Sequence, residues 1–93
     1  VGASTFSHGK LSLTTTETLH IAANENRSQI IIENNHSAAV WYGDLASLSS
    51  GSYQDICMKI EAGDSMIWNN RSGLYMKLAS GTSDAIKYFE EEV

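Results

Sequence analysis

The sequence contains no proline and a single cysteine, Cys57. Average proline usage of about 5% would place about four or five in a chain of this length. Here the turns rest on Gly, Asn, Asp and Ser instead. One cysteine excludes an intrachain disulfide, and a lone, half-buried thiol reads as a small hydrophobe rather than a nucleophile. Ninety-three residues make one domain, which removes only roughly 60 to 65% of its unfolded surface from water. With no disulfide to reinforce it, association with copies of itself or with a larger partner is the remaining source of stability.

Basic residues are also scarce. Six Lys plus Arg stand against eleven Asp plus Glu, a formal charge of −5, which repels phosphate and offers no basic stripe for counterion release. Nucleic acid is therefore not an expected partner. No apolar run approaches the roughly 18 residues of a membrane span, and the beginning VGASTFSHGK lacks the basic-then-apolar order of a signal peptide. No membrane partner is expected. His8, His20 and His36 form no H-x-x-x-H pair and have no companion carboxylates at ligand spacing, so neither a metal nor a cofactor is expected. There is no G-x-S-x-G, and the glycines stand singly at turns, which excludes a phosphate loop. Catalysis is the least supported class.

What is present is strand chemistry. Residues 24–43, NENRSQIIIENNHSAAVWYG, hold two apolar runs separated by Asn34, Asn35, His36 and Ser37, a pattern that predicts a β-hairpin. Ile30, Ile31, Ile32, Val40, Trp41 and Tyr42 suit a pleated surface and are the densest apolar cluster in the chain. The core is expected to form on them. Residues 1–9 read as an extended arm ordered by a neighbour, and residues 10–93 as a single β-sandwich domain. Alternation predicts strands over residues 10–16 and 17–22, the two runs of the hairpin, a strand alternating at Ile56, Met58 and Ile60, and strands over 66–69, 74–79 and 84–90. Residues 44–52, DLASLSSGS, are the one place where a helical turn competes, with Asp44 as N-cap and Leu45 and Leu48 at i and i+3; a loop competes equally. Seven or eight short strands at this spacing predict an all-β fold, a small antiparallel β-sandwich or barrel. Glu90, Glu91 and Glu92 read as a solvated, solubilising end.

Three tripeptides match the N-glycosylation acceptor, at Asn26, Asn35 and Asn70. Six Asn in a chain with 19 Ser and Thr produce roughly one such match by chance, so these are turns first. The aromatic residues supply either a sugar-stacking platform or the filling and edge of a small core. Alternation turns Val40 and Trp41 to opposite faces, and Ile67 away from Met66 and Trp68, so some large side chains face outward in either register. Phe6, Trp41, Tyr42 and Trp68 are the candidate interface residues.

The order of these segments resembles a family. LSLTTTETLHIAA, then Asn24-x-Asn26-Arg27, then IIIEN, a small polar turn and VWYG, are similar to the small β-sandwich structural proteins of bacteriophage virions. The later half continues in step, through Gly63-Asp64-Ser65, Gly73-Leu74-Tyr75, Ala79-Ser80-Gly81-Thr82 and the closing DAIKYFEE. Glu25 and Ala62 stand where such proteins often carry proline. The resemblance implies a non-enzymatic virion component. The expectation is a capsid decoration or cement protein on the outer head surface, bound to the major capsid protein or other virion proteins as a homo-oligomer, with a trimer favoured. A glycan-binding fibre or spike module and a neck or tail subunit are the alternatives.

Overall fold

Period-two alternation sends every second side chain of a strand inward, and in this chain the inward residues are consistently Leu, Ile, Val and Met. The computed structural model describes residues 5–93. Its eight strands form two packed four-stranded sheets, an antiparallel sandwich. Sheet A runs β1 (Thr5–Leu13), β8 (Ser83–Glu92), β3 (Arg27–Asn34), β6 (Ser65–Trp68), and sheet B runs β2 (Thr18–Ile21), β7 (Leu74–Leu78), β4 (Val40–Gly43), β5 (Met58–Ile60). Every pairing is antiparallel. Between the sheets, Leu11, Ile30, Ile32 and Ile86 meet Val40, Ile60, Met76 and Leu78. Two short helices, α1 (Leu45–Leu48) and α2 (Tyr53–Ile56), lie between β4 and β5.

The predicted central hairpin does not form. Both of its strands exist, but β3 belongs to sheet A and β4 to sheet B. Asn34 is the physical reason. Fully buried, it turns the chain from one sheet to the other: its Nδ2 donates to the Ala38 carbonyl and to the Ile60 carbonyl, both at 2.9 Å, and its Oδ1 accepts from His36 N at 2.9 Å. A buried amide is costly unless bonded in this way, so the side chain specifies the corner. Of the connections between successive strands, β4 to β5 alone stays within one sheet.

Arg27 closes the other end of β3. Buried to 1% exposure, it donates through Nε to Glu90 Oε2 (2.6 Å), through Nη1 to the carbonyls of Asn70 (2.6 Å) and Ser72 (3.0 Å), and through Nη2 to the carbonyl of Ala22 (2.5 Å). One guanidinium thus ties the β2–β3 turn, the β6–β7 turn and β8 together, using its forked donors on four acceptors. Glu92 accepts from Asn24 Nδ2 at 3.0 Å and Glu91 from Gln29 Nε2 at 2.8 Å. The three glutamates, expected as a solvated end, are each bonded within the chain.

Two boundaries also differ. Residues 5–9, expected as part of an arm, are the first half of β1: their backbone pairs with residues 88–92 of β8, and Phe6 stacks on Phe89 at 5.1 Å. Residues 1–4 of that arm lie outside the described residues. Ile56 ends α2 instead of starting a strand, and residues 44–48 form the competing helical turn, with Asp44 Oδ1 accepting from Ser47 N at 2.7 Å. Gly63 and Gly81 hold positive φ angles of 84° and 74° at the β5–β6 and β7–β8 turns, where a side chain would be strained.

Candidate functional site

The four candidate interface residues part company in the structure. Trp41 does project from the outer face of sheet B, as alternation requires, but it is only 8% exposed. Residues 44–57 fold over it. Tyr53 of α2 meets the Trp41 ring edge-on at 5.5 Å, and Lys59 Nζ lies 5.3 Å from the ring centroid. Its neighbour across the ladder, Lys77, is buried beneath the same cover, donating from Nζ to the Leu48 carbonyl at 2.6 Å, with the ammonium 3.7 Å from the Tyr53 ring centroid and 3.5 Å from Glu17 Oε2. Leu48 is fully buried there. Trp41 is therefore a residue of a second, smaller core and not an interface residue in the free chain.

Tyr42 and Trp68 point inward from their strands and pack against the main core. They also line one groove. It opens at the end of the sandwich, where the first residue of β5 and the last of β6 meet at its lining, and encloses about 340 Å³ between Tyr42, Trp68, Leu74, Cys57, Ile56 and Met58. Ile56 and Met58 stand on its rim at 60% and 67% exposure. The aromatic floor and aliphatic rim suit an apolar side chain, and β5 and β6 each have one edge without a neighbouring strand. Burial, and then the Asp44 carboxylate, raise the pKa of the Cys57 thiol, which keeps it protonated. Among the described residues, no three His, Cys, Asp or Glu side chains gather as a metal site.

No protein-family model matches the chain, and no curated protein matches it. Among solved structures, 99% of the chain aligns with 13% of a chain described as "Structure of IMPa from Pseudomonas aeruginosa in complex with an O-glycopeptide", at 16% identity and a TM-score of 0.47. The chain thus spans about an eighth of that protein's length. A likeness this distant bears on neither fold nor function.

Phe6 lies away from the groove, 63% exposed on the outer face of sheet A, where Phe89 and His8 stack beside it at 5.1 and 6.1 Å. Among the described residues, no element covers this face as residues 44–57 cover the other. The opposite seam of the sandwich, between β1 and β2, holds a second hollow of about 320 Å³ lined by Lys10, His20, Tyr88 and Glu90. His20 Nε2 is buried there without a hydrogen-bond partner among the described residues, and burial lowers the pKa of its imidazole.

Sequence reasoning missed Ile56, Met58, Ile31, Ile67 and Phe89 as surface residues. Ile31 was the legible one, since three consecutive isoleucines in a strand cannot all face the core. For Ile56 and Met58 the sequence carries no comparable signal.

Proposed function

We propose that the chain is a non-enzymatic structural module of a bacteriophage virion, a decoration protein that docks on the outer surface of the capsid through the groove between β5 and β6. One observation carries this reading: Ile56 and Met58, two large aliphatic side chains, are left in solvent at the rim of an aromatic-floored groove. A monomeric domain rarely leaves such residues clustered unless a partner covers them. The resemblance of the sequence to small virion sandwiches supplies the partner class, a capsid subunit. The negative charge of the chain suits an outer surface better than a lumen packed with DNA.

A glycan-binding role asks for an open aromatic ring face, and the ring of Trp41, one of the aromatic candidates, is taken up by Tyr53 and Lys59. Two measurements test the docking reading. Quantitative mass spectrometry of gradient-purified virions is expected to find a copy number at a simple ratio to the major capsid protein; a handful of copies would place the protein at a neck, tail or fibre. Met58→Asp is expected to leave the fold intact by circular dichroism and to lower capsid occupancy about tenfold or more. Unchanged occupancy would rule the groove out.

A further inference from the structure

Three rows of outward side chains cross sheet A at right angles to its strands. The register sets His8 opposite Phe89, Phe89 opposite Ile31, and Ile31 opposite Ile67, an apolar row spanning all four strands. On one side of it lies the row Phe6, Glu91, Gln29, and on the other Lys10, Lys87, Glu33. Phe6 and Ile67 are 63% and 64% exposed.

The two flanking rows are complementary about the central one. On β8, Phe89 is flanked by Lys87 and Glu91; on β1, His8 by Lys10 and Phe6; on β3, Ile31 by Glu33 and Gln29. A half-turn about an axis lying along the apolar row reverses the strands, flips the face and exchanges the flanking rows. Lys87 then meets the partner's Glu91, Lys10 the ring of the partner's Phe6, and Glu33 the amide of the partner's Gln29. Each contact occurs twice, and the apolar row packs on itself. The match holds on three strands at once.

Charge favours this face over the rest of the surface. Its two lysines and two glutamates sum to zero, whereas the chain carries −5. In the single chain Lys10 lies directly across from Lys87, an unfavourable like-charge pair, and among the described residues neither makes an ion pair. The half-turn gives both a partner.

We propose that the outer face of sheet A is a two-fold dimer interface, closed by the same face of a second copy of this chain. The occupant is a second copy because the charges are self-complementary, and the symmetry is two-fold where the resemblance implies a trimer. Four strands at about 4.8 Å spacing place the contact at the small end of specific interfaces, with dissociation on the order of micromolar. The pairing stands without the docking reading. If both hold, the dimer presents two grooves, and capsid binding becomes bivalent.

Sedimentation equilibrium of the purified chain, with no capsid present, tests the pairing. The expected result is a monomer–dimer equilibrium that K87E and E91K each weaken about tenfold and that the double swap K87E/E91K restores. Both substitutions are outward on one strand, and circular dichroism confirms that each of the three variants is folded. A monomer at every concentration, a trimer, singles that leave the dimer unchanged, or a double variant that fails to restore it would each overturn the proposal. Met58→Asp in the groove is expected to leave dimerisation unchanged, so failure of the docking reading and failure of the dimer are read separately.

Discussion

The two outer faces of the sandwich begin alike and finish differently. Each strand sends large side chains away from the main core, Trp41, Tyr75 and Lys77 on sheet B and Phe89, Ile31 and Ile67 on sheet A. On sheet B, residues 44–57 double back and roof the face, converting an outward tryptophan and lysine into a second core. On sheet A nothing among the described residues does so. The difference lies in one connection. The β4–β5 link has enough residues to make two helical turns, whereas the links that lead into and out of sheet A are tight corners held by Asn34 and Arg27. A small sandwich can cover one outer face with its own chain, and the other is the face on which the proposed dimer rests.

The strongest way to break this contrast is to remove a large side chain from each face in turn. Trp41→Ala opens a cavity beneath the helical roof and is expected to cost about 3–5 kcal/mol. That is a large share of a margin of about 5–14 kcal/mol for a domain of this size. Ile67→Ala on the bare face is expected to change monomer stability by less than about 0.5 kcal/mol. Urea unfolding of both variants, at concentrations below dimer formation, checks the pair. Equal effects at the two positions would mean that the roof adds no core.

A sharper version leaves the volume of the second core nearly unchanged. Lys77→Met keeps the aliphatic stem against Trp41 but removes the ammonium that bonds the Leu48 carbonyl and lies over the Tyr53 ring. The unpartnered carbonyl is expected to cost about 1–3 kcal/mol. Because the loss falls on the roof, amide hydrogen exchange should accelerate in residues 45–57 before it does in β3 or β8. Uniform acceleration across both sheets would show that the roof and the sandwich unfold as one unit.

The strands of both faces were legible in the sequence, because two-residue alternation is local and survives any tertiary arrangement. Leu74–Leu78 and Ser65–Trp68 lie within a residue of where the pattern places them. What local pattern cannot carry is the partner of each strand. Asn34-Asn35-His36-Ser37 has the composition of a hairpin turn, yet the same residues make an equally good corner between sheets, and the buried amide bonds of Asn34 that decide between them reach Ile60, 26 positions away. Trp41 failed as an interface residue for a related reason. Its outward direction followed from alternation, but its cover came from a helical turn that the serines of residues 47–52 made as plausible as a loop. Tyr42 and Trp68 were found as a pair only in the fold, where an inner strand of sheet B and an edge strand of sheet A bring them to one groove. Arg27 gave no periodic signal at all, because its role is set by carbonyls on two separate turns and a carboxylate on β8.

The smallest expected effect concerns a group that is enclosed without a partner, at the seam where the two faces meet. His20 lies between β1 and β2 with Nε2 buried and unbonded among the described residues, and its pKa is lowered by burial. Its protonation is therefore easier in the unfolded chain than in the folded one. Between the unfolded value, near 6.5, and the lower folded value, the unfolded state binds more protons, so stability rises with pH across that window. The contribution is complete above the unfolded value and is lost as pH falls towards and through the folded one. His20→Leu removes the titrating group, and urea midpoints measured from pH 7.5 down to pH 5 should fall less steeply in that variant than in the parent chain. Lys10 and Glu90 line the same hollow, with Glu90 held by Arg27. Parallel pH profiles in the two proteins would mean that the imidazole finds solvent in the folded state, and that this seam is as open as the bare face of sheet A.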